Sequence, residues 1–301
     1  MTDTGTLRLA TLVGAVVLAL LAGFALGRAV TAPTNIGTRS AAEVDDHLHP
    51  PGTEPHLHGG GVNGGAGQVA GLSVSDTGYT LVPQRTQLPA GTQVDLRFQI
   101  VDSDQRPVTA FEVVHDKPMH VIVVRRDLTG YQHLHPQMSA DGTWTLPLLL
   151  ADAGTWRLYT DFTIRDTSGQ SLALTLGVDL VVAGHYQPGE LPAAAGAARV
   201  DDFTVTMRGV PQQGAVAPLL FEVARDGQPT PRLEPYLGAY GHLVAVRAGD
   251  LGYLHVHPEA ELVGGAIKFW LAVPSSGDYR LFLDFQVAGE VRTAEFTVTI
   301  R

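Results

Sequence analysis

Alternating apolar positions recur along most of this chain. Trp144, Leu146, Leu148 and Leu150 alternate with other residues, and so do Ile267, Phe269, Leu271 and Val273. This is the period-2 pattern of a strand with one buried face. Turn-forming groups such as Ala140-Asp141-Gly142 and Ser275-Ser276-Gly277 separate the runs. Beyond the N-terminus no stretch keeps a long 3.6-residue period. The pattern predicts an all-β protein built of face-to-face sheets, about seven strands to a sandwich. Immunoglobulin-like and cupredoxin-like topologies both fit it.

The pattern also repeats. Leu96-Arg-Phe98-Gln-Ile100 answers Leu219-Leu-Phe221-Glu-Val223, and Gly154-Thr-Trp156-Arg-Leu158-Tyr-Thr-Asp161-Phe162 answers Gly277-Asp-Tyr279-Arg-Leu281-Phe-Leu-Asp284-Phe285. Agreement over about 100 residues is an internal duplication. It divides the chain into a sandwich at 71–185, a Pro/Ala/Gly connector at 186–199 and a second sandwich at 200–301. Residues 33–70 lose apolar periodicity and read as a flexible His-, Gly- and Pro-rich linker.

Residues 1–32 break the β pattern altogether. Leu9 to Gly27 is an uncharged, mostly aliphatic run between Arg8 and Arg28. At ~1.5 Å per residue it measures about 28 Å, close to the ~30 Å bilayer core. It is read as one N-terminal transmembrane helix, with a cleaved signal segment as the rival. Either reading places the rest of the chain outside the cytoplasm, membrane-tethered or secreted.

Composition narrows the partners. The net charge of −10 and the absence of a Lys/Arg patch argue against nucleic acid. With no cysteine, disulfides, thiolate nucleophiles and Cys-ligated metals are all excluded.

The candidate chemistry lies in the histidines, and it follows the repeat. His120 precedes His133 and His135 at the spacing by which His242 precedes His255 and His257. Imidazole is a frequent ligand of transition metals at neutral pH. Positions i and i+2 of a strand face one way, so each His-x-His is a two-toothed chelator. The following prolines, Pro136 and Pro258, are expected to end their strands. An antiparallel hairpin would bring His120 level with His135. Asp161 and Asp284 interrupt apolar strands at equivalent places, so each is a candidate fourth ligand or an acceptor for the second N–H of a ligating ring. Glu112 and Glu234 are weaker candidates for the same roles, and Tyr131 and Tyr253 could hydrogen-bond the site. In the linker, His47, His49, His56 and His58 form two further His-x-His pairs, a candidate metal-collecting tether. His115, Met119, Met138 and His185 have no partner in the other repeat and are read as surface or packing residues. Imidazole with carboxylate suits copper(II) or zinc, with one ion per sandwich.

Pro118-Met119-His120 followed by His133-Leu134-His135-Pro136 resembles the metal-binding strands of periplasmic copper-resistance and copper-chaperone sandwiches. The resemblance implies that His120, His133, His135, His242, His255 and His257 are ligands, and that a protein donating or accepting metal is a partner. Those chaperones use methionines for copper(I), whereas the second repeat has none near its site, so copper(II) or zinc capture is favoured. The leading expectation is an extracytoplasmic metal-binding protein for capture, buffering or delivery. Alternatives are a hydrolytic enzyme with a three-histidine metal and a metal-independent interaction module. The doubled site favours binding over catalysis.

Overall fold

The computed structural model describes residues 69–301 apart from Thr167, Thr230, Pro231 and His255, and leaves the side chains of Pro229 and His257 undescribed. The N-terminal apolar segment and the linker histidines His47, His49, His56 and His58 lie outside the described residues. Among the described residues no helix is long and apolar enough to cross a membrane.

The chain is all-β and duplicated. The first repeat holds β1 (Ser75–Asp76), β2 (Tyr79–Pro83), β3 (Gln87–Leu88), β4 (Val94–Val101), β5 (His120–Arg125), β6 (Gln132–Leu134), β7 (Gln137–Met138), β8 (Trp144–Leu148), β9 (Gly154–Arg165) and β10 (Ser171–Val182). The second holds β11 (Ala197–Val200), β12 (Phe203–Arg208), β13 (Val216–Arg225), β14 (Gln228–Pro229), β15 (Gly241–Arg247), β16 (Tyr253–Leu254), β17 (His257–Pro258), β18 (Ile267–Ala272), β19 (Gly277–Val287) and β20 (Glu290–Ile300). Several of these are two-residue pieces, which is why the strands outnumber the seven per sandwich that periodicity suggests.

In the first repeat the sheets run β1-β2-β4-β8-β7 and β3-β10-β9-β5-β6; in the second they run β11-β12-β13-β18-β17 and β16-β15-β19-β20. Each pair of sheets encloses its own core. Trp144, Trp156, Phe98 and Leu176 fill the first, and Phe221, Phe269, Tyr279 and Phe296 the second.

The edges of the repeats differ from the sequence reading in small ways. β11 begins inside the expected connector. Ala70, at the end of the expected linker, pairs with Tyr253. Pro136 follows β6 as expected, but Pro258 lies within β17, paired with Phe269. β17 is an edge strand, where a missing N–H costs no ladder bond.

A third apolar cluster joins the two repeats. Ile122 and Val124 of β5, Leu128 and Tyr159 pack with Val244 and Val246 of β15, Leu251, Tyr253 and Phe282 of β19. β5 is therefore buried on both faces: Val121 and Val123 turn into their own sandwich, Ile122 and Val124 toward the other one. β15 is built the same way, with Leu243 and Ala245 inward and Val244 and Val246 toward the first sandwich. Burying such side chains contributes roughly 1.5–3 kcal/mol each, so the interface is a core in its own right. Tyr131 stacks on Phe282 with ring centres 4.2 Å apart. The Tyr159 hydroxyl donates to the Leu251 carbonyl at 2.5 Å.

Candidate metal centre

The histidine triplet of the first repeat is assembled by strand register. β5 and β6 are antiparallel, with Val121 opposite Leu134 and Ile122 opposite His133. Directly opposed residues share a face, so His133 lies on the face of Ile122, the one turned to the second sandwich. One step on, His120 and His135 are level on that same face. The hairpin depends on Gly130, at φ 68°, where an added β-carbon would sit 2.5 Å from the Trp156 ring. Only glycine tolerates both that backbone and that proximity.

The nitrogens converge. His120 Nδ1 lies 3.0 Å from His133 Nε2 and 3.2 Å from His135 Nε2, and one ligand atom from each ring falls within 4.8 Å of the others. The ring centres are 5.3, 5.0 and 4.9 Å apart. A tetrahedral ion ~2.0–2.1 Å from each nitrogen would set the nitrogens about 3.3 Å and the ring centres about 5 Å apart. The triplet is already close to that shape.

Hydrogen bonds behind two rings fix their protons. His120 Nε2 donates to the Val114 carbonyl at 3.0 Å, and His133 Nδ1 donates to Asp284 Oδ2 at 2.9 Å. Each ring thus carries its proton on the far side, and two lone pairs face each other across 3.0 Å. A cation between them relieves that contact, as would a proton on His135 Nε2 donated to His120 Nδ1. An added proton is disfavoured there: burial first, then the neighbouring His133, lowers the His120 pKa to about 4. Burial, with His133, His120 and Lys117 adding to it, lowers His135 to about 3. Three preoriented imidazole nitrogens converging on one point are what a borderline metal ion requires.

Both aspartates point into the interface, away from their own cores. Asp161 lies opposite His120 across β9 and β5, and Asp284 opposite His242 across β19 and β15. Their bonds run across the interface in a reciprocal pattern. The Tyr131 hydroxyl donates to Asp284 at 3.3 Å and the Tyr253 hydroxyl to Asp161 at 3.3 Å. Thr293 donates to the far oxygen of Asp284 at 2.6 Å, as Thr175 does to that of Asp161 at 2.9 Å. Burial, with the nearby carboxylate adding to it, pushes both tyrosine hydroxyls well above their usual pKa, so each stays a donor. Asp284 therefore stands behind a histidine of the opposite sandwich, a pairing that the spacing within one repeat does not reveal.

The second triplet is described only in part. His242 is buried and its Nε2 donates to the Tyr236 carbonyl at 2.7 Å, as His120 does to Val114. Burial lowers its pKa to about 3, with His115 and His133 adding to the effect. His255 lies outside the described residues, as does the side chain of His257.

Two further candidates are engaged elsewhere. Glu112 accepts from Ser171 and pairs with Arg165 at 2.8 Å. Glu234 accepts from the Gly289 N–H at 2.8 Å and from Gln286. Among the described residues, neither joins the group that His120, His133 and His135 form. Met119 is a core residue, Met138 packs partly against that core and His185 is exposed. His115 is the residue that the repeat pattern missed. It sits at the tip of the Val114–Lys117 turn, with its ring 5.3 Å from His242 and 6.2 Å from His120. Its counterpart in the second repeat is Leu237, so no doubled signal could expose it.

No curated protein matches this chain. Among solved structures it is similar to the Escherichia coli adhesin FdeC, at 12% identity over 76% of this chain and 66% of that one, with a TM-score of 0.25. It is also similar to Salmonella alpha-2-macroglobulin, at 16% identity over 82% of this chain and 16% of that one, with a TM-score of 0.26. The N-terminal Ig1-2 module of the Drosophila receptor protein tyrosine phosphatase DLAR matches at 8% identity over 74% of this chain and 98% of that one, with a TM-score of 0.20. This chain spans just under two thirds of the adhesin's length. A family described as a domain of unknown function (DUF8832) matches twice, over residues 73–179 and 198–301, and the chain belongs to that family, carrying its domain in tandem.

Proposed function

We propose that this chain is an extracytoplasmic metal-binding protein that takes up copper(II) or zinc at His120, His133 and His135, for capture, buffering or delivery to another protein. The observation that carries the reading is the arrangement of the three imidazoles. Their nitrogens sit at nearly the separations a tetrahedral ion demands, and two are fixed as lone-pair donors by bonds to Val114 and Asp284. The N-terminal apolar segment supplies the membrane tether in this reading, and the linker histidines a loose collecting arm. The strand order supports an immunoglobulin-like sandwich over a cupredoxin-like one. β4, β8 and β7 adjoin in one sheet and β10, β9, β5 and β6 in the other, and β3 runs parallel to β10, the arrangement of strands B-E-D against G-F-C-C′.

Equilibrium dialysis of the full chain against zinc and copper(II), with metal analysis of the retentate, tests the reading. Wild type retains a tightly held ion, and the double substitution His133→Ala, His135→Ala releases it. If the second triplet also loads, as the repeat implies, a second ion is lost with His255→Ala, His257→Ala. Retention unchanged by the His133/His135 double substitution would end the proposal.

A further inference from the structure

Resting on the metal-binding reading, we propose that the first sandwich's centre is controlled from the second. Asp284 is a positioning residue acting across the interface, and ion occupancy and closure of the two sandwiches form one coupled equilibrium.

The argument begins with the carboxylate. Asp284 is 3% exposed and accepts three hydrogen bonds: from His133 Nδ1 at 2.9 Å, from the Tyr131 hydroxyl at 3.3 Å and from the Thr293 hydroxyl at 2.6 Å. Two of those donors belong to the first sandwich. The His133 bond places the ring proton on Nδ1 and leaves Nε2 bare to face His120 and the ion. Remove the second sandwich and His133 loses the acceptor that selects this tautomer. A metal-bound imidazole is a stronger N–H donor than a free one, because the ion withdraws charge from the ring. Binding therefore tightens the His133–Asp284 bond, and that bond spans the interface. Linkage then requires the reverse: whatever closes the interface raises affinity by the same factor.

Asp284→Asn is the selective probe. An amide offers one acceptor oxygen and one NH2 group where the carboxylate takes three donors, so an N–H must face either His133 and Tyr131 or Thr293. The amide either turns its NH2 to His133, which is then misoriented or forced to the other tautomer, or keeps there a neutral oxygen that accepts more weakly than the carboxylate did. Loss of such a supporting partner weakens metal binding roughly 10–100-fold.

Two measurements on the full chain test the inference. In the first, zinc affinity is obtained by competition with a chromophoric chelator, alongside the absorption spectrum of the cobalt(II) form. Asp284→Asn is expected to bind roughly 10–100-fold more weakly with an altered cobalt spectrum. Thr293→Val, which keeps the carboxylate but frees its far oxygen, should lose only a few-fold. The second is amide hydrogen exchange with and without zinc in the His255→Ala, His257→Ala protein, where no ion at the second triplet can protect β15 directly. Protection is expected in β15 and β19 of the second sandwich as well as in β5 and β6. Wild-type affinity and spectrum in Asp284→Asn, or zinc protection confined to residues 71–185, would overturn the coupling while leaving the metal centre standing. If wild type holds no ion at His120, His133 and His135, the metal-binding reading itself has failed.

Discussion

At the scale of single residues, burial makes His120, His135 and His242 resist protonation. The sign of the resulting pH dependence follows directly. His120, His135 and His242 have folded-state pKa values of about 4, about 3 and about 3, below the ordinary 6.5. Between those limits the unfolded chain binds protons that the folded chain refuses. The metal-free protein is fully stable above pH 6.5, loses stability as pH falls toward about 4 and below, and levels off once the folded histidines also titrate. All three shifts lie in the same direction, so their losses reinforce one another as the pH falls. Urea unfolding of metal-free protein at steps from pH 7.5 to 4 should show this decline, with a shallower slope in His135→Gln. Stability unchanged between pH 7.5 and 5 would contradict it. The histidine triplet was legible from spacing because a two-residue period and a hairpin convert sequence distance into adjacency. His115 was not, since nothing in the second repeat echoes it. The role of Asp284 was half legible: an aspartate in an apolar strand announces a buried acceptor without saying whose proton it takes.

At the scale of elements, the β5–β6 hairpin sets the ligand geometry, and Gly130 sets the hairpin. Gly130→Ala would bring a β-carbon against the Trp156 ring at a left-handed backbone position. The expected cost is about 1–3 kcal/mol of stability. Displacement of the strand carrying His133 should also weaken zinc binding, as denaturation of the metal-free protein and chelator competition would show; unchanged values in both would mean the turn is more pliable than its packing implies. Strand patterns carried much of this level. Alternation located β8 and β18, whereas β5, an unbroken apolar run after His120, shows no alternation and is buried on both faces. What covered its second face stayed hidden, because an unbroken run reads the same whether another sheet of its own domain or a neighbouring domain lies above it.

At the scale of the whole molecule, the two sandwiches share a third core in place of a flexible joint. Calorimetry of the metal-free chain should therefore give one cooperative transition spanning both repeats. Phe282→Ala, which removes the ring stacked on Tyr131, is expected to cost about 3–5 kcal/mol and to separate the transition into two. Two transitions already present in wild type would show the repeats to be independent. The crossed tyrosine–aspartate bonds, Tyr131 to Asp284 and Tyr253 to Asp161, have a bearing on ancestry. A contact in which each half gives what it receives is the signature of a two-fold homodimer. Such a surface suits a lone repeat meeting its own copy, each lending a carboxylate to the other's tyrosine. Joining the copies in one polypeptide freed the halves to diverge, and a histidine at one turn tip where the other repeat has a leucine is one mark of that freedom.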